Sequence, residues 1–194
     1  LLNQFDAMVF SIASGMAVDA RIVKSASRPI SDWKLRDLRE KRKVKAQMRK
    51  KTQKAMRFQR DLESDWTMKN NKPLFRMKEH ASIDVESGLV LSTPMSKASE
   101  HDTKYFVYTV TKGIQGKALP SRVYADKGYG GKSNRDFLNI NGIGDGIMRK
   151  KQINASLTEA EIQRNKEISK VRYKIEQYFG ITNKYHGAGK ARLT

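Results

Sequence analysis

The sequence predicts an α/β fold, a mixed sheet flanked by helices, with a basic helical insertion between the first two strands. Three observations carry that expectation. Short apolar segments at 16–23 and 122–124 alternate with helix-patterned segments, residues 31–64 lack Gly and Pro and are rich in Lys, Arg, Gln, Met and Leu, and a long amphipathic helix closes the chain. At 194 residues, with 38% hydrophobic side chains, the chain suits one domain over 1–194 with enough apolar content for a core.

Taken in order, residues 1–11 read as the end of a helix and Gly15 introduces the first strand at 16–23. Val18, Ala20 and Ile22 share one face of that strand, Asp19 and Arg21 the other. Residues 31–64 read as a helix or helical hairpin. After Asn70, Asn71 and Pro73 the pattern shifts to Phe75, Met77, Ile83 and Val85, then Leu89, Val90 and Leu91, a β-hairpin turning at Gly88. Asp102 is placed to cap a helix through about Thr111, with a position near the site as its other reading. A strand at 122–124 ends at Asp126, ahead of the glycine-rich stretch 128–131. A helix at 133–139 and a strand at 146–148 follow. In the last helix Thr158 and Glu161 form a capping box, Ile162, Ile168, Val171, Ile175 and Phe179 the apolar stripe, and Gly180 the expected stop.

The formal charge of +19, from 39 basic and 20 acidic residues, favours a polyanionic partner, nucleic acid above all. Thirteen of the basic residues lie in 34–60 against only Asp37 and Glu40. Basic residues on every face of that segment, Lys43, Lys50 and Lys54 among them, point to sequence-independent phosphate contacts with steep salt dependence. A purely solubilising helix is the plainer alternative. Met48, Met56, Phe58 and Leu62 within the segment read as packing positions. No stretch near the start is long enough to span a bilayer. The absence of cysteine excludes disulfides, thiol catalysis and cysteine-ligated zinc, and His80, His101 and His186 match no zinc spacing. A chain opening on Leu1 and Leu2 reads as a fragment.

Three acids fall where this layout can build a site: Asp19 on the first strand, Asp126 past the later strand and Glu176 on the last helix. Taken singly, each is an ordinary surface charge. Asp19 between Val18 and Ala20, and Glu176 beside Ile175, nevertheless lie close to core positions, where acids need partners. Asn165, Ser169, Arg172 and Glu176 recur along one helical face. Arg172 can therefore orient Glu176 or reach a phosphate, or form only a weak surface ion pair with Glu176.

Val18-Asp19-Ala20, then Tyr124-Ala125-Asp126-Lys127-Gly128-Tyr129, then Arg172, Glu176 and Phe179-Gly180 resemble the motifs of bacterial insertion-sequence DDE transposases, particularly the insertion sequence five-like group. Asp65-Trp66-Thr67, Lys78-Glu79-His80 and Glu100-His101-Asp102 agree with that resemblance. It implies an RNase H-like catalytic domain in which Asp19, Asp126 and Glu176 hold two Mg²⁺ or Mn²⁺ ions. The implied reaction is metal-dependent cleavage of double-stranded DNA, at the transposon ends, followed by strand transfer into target DNA. It further implies DNA contacts by Arg172, Lys127, Tyr129, Ser169 and Lys184, a homo-oligomer in the active complex, and a cytoplasmic, nucleoid-associated protein without membrane partners. Ser169 and Asn183 stand where the family has a tyrosine and a lysine, and Lys184 is one position late, a loop residue in this reading. A non-catalytic basic nucleic-acid-binding module, a nuclease of host use and an inactive transposase remnant stay open as alternatives.

Overall fold

The computed structural model describes residues 15–25, 27–47, 61–153 and 155–190. The chain runs through β1 (Met16–Lys24), α1 (Asp32–Gln47), β2 (Asp65–Lys69), β3 (Lys72–Asp84), β4 (Val90–Ser92) and β5 (Met95–Lys97). It continues through α2 (Phe106–Ile114), β6 (Arg122–Ala125), α3 (Lys132–Ile140), β7 (Gly144–Ile147) and α4 (Glu159–His186). One mixed sheet has the order β2-β3-β1-β6-β7, with β4 and β5 also pairing with β3. Strand β3 is antiparallel to β1 and β2, whereas β1, β6 and β7 are mutually parallel. This topology is compatible with the RNase H-like arrangement that the resemblance implies.

The alternation read in β1 decides what each sheet face packs against. Met16 and Val18 join Phe106 and Val110 of α2, Leu138 of α3, and Val123, Ala125 and Ile147 in one buried cluster. Ala17 points the other way, to Ala81, Ile83 and Ile175 of α4. Helices therefore cover both faces, and Asp19 and Arg21, in phase with Ala17, emerge on the α4 side.

Strand β2 is not among the elements expected from the sequence, which assigns none to 65–69. Those two asparagines instead close a two-residue hairpin between β2 and β3, with φ of 50° and 58°, the left-handed pair that such a turn requires. The expected hairpin across Gly88 is present, but β3 extends back to Lys72, and β5 forms a further short edge partner.

Of the expected insertion at 31–64, α1 is helical as expected, residues 48–60 lie outside the described residues together with Lys50 and Lys54, and 61–64 is not helical. Asp61 explains the last point. Its carboxylate accepts the N–H groups of Glu63 (3.1 Å) and Ser64 (2.8 Å) and the hydroxyls of Ser25 and Ser64, a local network that competes with helix. Burial alone would raise the Asp61 pKa, but these hydrogen bonds outweigh it and hold the carboxyl below its ordinary range. Ile30, Leu35 and Phe75, with Leu38, Leu62 and Trp66, form the small core under α1. Among the described residues no helix is long and apolar enough to cross a membrane.

Helix α4 begins as expected: Thr158 Oγ1 accepts the Glu161 N–H at 3.3 Å and Glu161 Oε2 accepts the Thr158 N–H at 3.0 Å. It does not stop at Gly180. A helical glycine costs only about 1 kcal/mol, and tertiary anchors carry the helix through it. The Arg21 guanidinium donates to the Phe179 carbonyl (3.1 Å) and the Thr182 hydroxyl (2.9 Å), while pairing with Glu79 at 2.7 Å. The stop is Gly187, at φ 61°. At the other end Arg164 donates to the carbonyls of Asp145 and Ile147, and the Asn165 amide grips the backbone of Arg149 in both directions. The helix is thus pinned to β7 at one end and to β1 at the other, with Arg172 between.

His80 on β3 is fully buried, bonds Ser96 Oγ through Nε2 at 2.9 Å, and stacks on Tyr105 with centroids 4.7 Å apart. Burial pushes its pKa down to about 4, with Asp102 opposing and Lys78 reinforcing that shift. The unfolded chain, with an ordinary value near 6.5, takes up the proton first. Stability is therefore complete above about pH 6.5 and falls as pH drops toward 4. Urea unfolding should show a loss of about 2 kcal/mol between pH 7 and pH 5, and His80→Gln should remove that slope. An unchanged slope in the variant would assign it to other groups.

Candidate active site

Strands β1 and β6 lie side by side and parallel, with Ala17 opposite Tyr124 and Val18 opposite Ala125. Continuing that register by one residue brings Asp19 to Asp126, at the carboxyl end of β6, where α/β sheets bind ligands. The two acids differ in surroundings. The Asp19 side chain is 19% exposed and that of Asp126 39%.

Arg172 of α4 joins them. Its Nη2 lies 2.6 Å from Asp19 Oδ2 and its Nη1 4.0 Å from Asp126 Oδ1. Asp19 Oδ1 also accepts the Ala20 N–H at 2.8 Å. Burial raises the Asp19 pKa, Arg172 and the Ala20 N–H pull it back, and the Asp126 charge adds to the rise, which prevails. Arg172 is itself buried, and its Nε has no hydrogen-bond partner among the described residues.

The sequence offers Glu176 or a phosphate as the target of Arg172, and the structure pairs the guanidinium with Asp19 rather than with Glu176. Ile168, Arg172 and Ile175 form the buried line of α4, so the arginine passes under the helix to the sheet. Glu176 sits at the edge of that line, exposed, with no hydrogen bond or ion pair among the described residues. Two of the three expected acids are thus brought together, and the third stands one turn from their shared arginine. Among the described residues no three acids or histidines are grouped closely enough to hold one metal ion.

The remaining expected contacts separate in the same way. Tyr129 is 1% exposed, inside the β1–α2–α3 core, and its hydroxyl has no partner among the described residues. Burial first, then the charges of Asp102 and Asp19, raise its pKa well above 10. The side chains of Lys127 and Ser169 make no hydrogen bond or ion pair among the described residues, and both residues are exposed. Lys184 is exposed and helical rather than in a loop, because α4 runs on to His186, and its Nζ lies 5.0 Å from the Tyr185 ring centroid. Lys43 of α1 is exposed and pairs with Glu40 at 2.7 Å.

Asp102 is not the cap that its sequence context suggests, the other reading of it being a place near the site. The cap of the 3₁₀ turn at Asp102–Tyr105 is His101, whose Nδ1 accepts from the Thr103 hydroxyl at 2.8 Å. Asp102 instead pairs with Lys78 at 2.7 Å and faces the turn after β6. A groove beside it runs between β1, β2 and the end of α4, past Arg21, Lys69 and Asn183.

A family model for the transposase DDE domain matches residues 12–193. The transposase for insertion sequence element IS1106 of Neisseria meningitidis serogroup B is 34% identical to this chain over 125 residues, which cover 64% of the chain and 42% of the relative. The chain therefore spans less than half the length of the curated relative it matches. No solved structure matches it. With nearly its whole length inside the matched region and two aspartates meeting at the ends of adjacent parallel strands, the chain belongs to the transposase DDE domain family.

Proposed function

We propose that this chain is the RNase H-like catalytic core of an insertion-sequence transposase, which cuts double-stranded DNA at the element's ends and joins the freed 3′ hydroxyl to target DNA. The observation that carries the reading is the meeting of Asp19 and Asp126 on one guanidinium. Their chemistry fits a hard divalent cation: they are oxygen donors on adjacent strands that already face a positive group. The Arg172 Nε and the Tyr129 hydroxyl are buried without partners among the described residues. Asp19, Asp126 and Glu176 are the residues that would hold Mg²⁺ or Mn²⁺. Two such ions, when bound, supply activation of the attacking oxygen and stabilisation of the leaving oxygen.

The protein's own groups supply position and charge. Arg172 holds Asp19 in place across the junction of β1 and α4, and its planar fork also suits a phosphate. Exposed Lys127, Ser169 and Lys184 are placed to meet the DNA backbone, and Lys43, Lys50 and Lys54 belong to a segment whose charge draws duplex DNA to the domain. Homo-oligomerisation, which pairs the two ends, belongs to the same reading. A second reading, a remnant that binds DNA without cutting it, draws on the isolation of Glu176.

The test is cleavage by the full-length protein of DNA carrying the element's terminal repeats. Cleavage should need Mg²⁺ or Mn²⁺, stop with a chelator, and disappear in Asp126→Asn while DNA binding persists. Wild-type cutting by that variant would end the proposal, and DNA binding without any cutting by the unaltered protein would establish the remnant.

A further inference from the structure

We propose that Asp102 is a fourth acid of this site, sharing a divalent cation with Asp126 across Gly128. The inference rests on the reading of Asp126 as a metal-holding residue and adds to it an acid that the triad does not contain. Asp102 belongs to the turn before α2, while Asp126 follows β6. Their Oδ2 atoms both lie 3.8 Å from the point that a side chain on Gly128 would occupy. With glycine at 128, the space between the two carboxylates is open. Mg²⁺ and Mn²⁺ need no larger protein cage, since one or two carboxylates with waters and substrate phosphates complete their coordination.

Tyr129 supplies an independent sign that something polar belongs there. Its hydroxyl is buried and lacks a hydrogen-bond partner among the described residues, a state that folded proteins avoid because it costs the desolvation of the group without return. The charges of Asp102, Asp19, Arg172 and Asp126 all act on that hydroxyl. A water on a cation held there would give it a partner.

The competing role for Asp102 is a structural ion pair with Lys78, whose side chain is 14% exposed. That pair engages Oδ1 and leaves Oδ2 toward Gly128. Lys78 is also anchored independently, donating to the Glu100 carbonyl at 2.7 Å. The lysine can therefore keep its place while Asp102 serves a cation. Both residues also line the groove that leads past Arg21 and Asn183, so the Asp102 side chain can be reached from solvent.

Mn²⁺ binding to the protein without DNA, followed by titration calorimetry and by the electron paramagnetic resonance signal of free Mn²⁺, separates the two roles. Asp102→Asn, which keeps size and an oxygen acceptor, should weaken binding at least about tenfold or remove one ion. Lys78→Gln, which takes away the competing ammonium, should bind as tightly as the parent or more tightly. Equal weakening in both variants, or no change in Asp102→Asn while Asp126→Asn binds poorly, would overturn the role of Asp102 and leave the proposed function standing. Unchanged Mn²⁺ binding in Asp126→Asn would overturn both.

Discussion

Replacing Arg172 with methionine should lower the unfolding free energy by about 3–5 kcal/mol at neutral pH, the range for breaking a buried ion pair from one side. The guanidinium is nearly buried and 2.6 Å from a carboxylate that is itself only 19% exposed. Methionine fills much of the volume, so the loss is electrostatic: Asp19 stays buried beside the charge of Asp126 with no counterion. The pH dependence follows from the direction of the Asp19 shift. Its pKa is raised even with Arg172 present and must rise further without it, so the folded variant binds a proton more readily than the unfolded chain. The penalty should therefore shrink as pH falls through that raised value. Millimolar Mg²⁺ should restore part of the loss by standing in for the guanidinium charge. Arg172→Lys should keep the fold, because one ammonium still neutralises Asp19, yet lose cleavage because it lacks the fork that reaches toward Asp126 as well. Urea unfolding at pH 7 and pH 5, with and without Mg²⁺, measures all of this. A loss below about 1 kcal/mol at pH 7 would put the pair in the class of surface ion pairs.

Local signals in the sequence were dependable where a single element decides the outcome. The alternation of Val18, Asp19 and Ala20 assigned the faces of β1 correctly, and Thr158 with Glu161 marked the start of α4 to the residue. Local signals failed where distant parts of the chain decide. Gly180 reads as a stop, yet Arg21, on the far side of the sequence, bonds the carbonyl before it and the helix continues. Strand β2 is a polar five-residue segment with little pattern of its own, and it exists because β3 offers it an edge. The site divides on the same line. Asp19 and Asp126 were legible from their motifs, but their adjacency depends on the pairing of β1 with β6, which no local pattern specifies. Asp102 looked like a helix cap, since the side chain that makes a good cap also makes a good ligand or ion-pair partner, and only the fold shows that His101 took that task. Arg172 was singled out on a helical face shared with Glu176, yet the sheet below offered a deeper partner.

Glu176→Gln should remove strand cleavage while leaving stability within about 0.5 kcal/mol of the parent, as expected for an exposed side chain with no partner. The contrast is what gives the variant its value. Glu176 makes no hydrogen bond or ion pair among the described residues, so the exchange of one oxygen for an amide breaks no contact within the fold. It removes a negative charge one turn from Arg172, on the exposed side of the helix. If Glu176 completes the cage for the ions, the cleavage rate should fall by on the order of a thousandfold or more, as when one member of a catalytic unit is lost, and Mn²⁺ affinity should fall with it. Single-turnover cleavage of end-containing DNA by the full-length protein, alongside thermal melting and Mn²⁺ titration, reads the three quantities on one preparation. Full cleavage by the glutamine variant would remove Glu176 from the mechanism and leave Asp102, across Gly128 from Asp126, as the acid to test in its place. Loss of cleavage with unchanged Mn²⁺ binding would make Glu176 a DNA-facing group rather than a ligand.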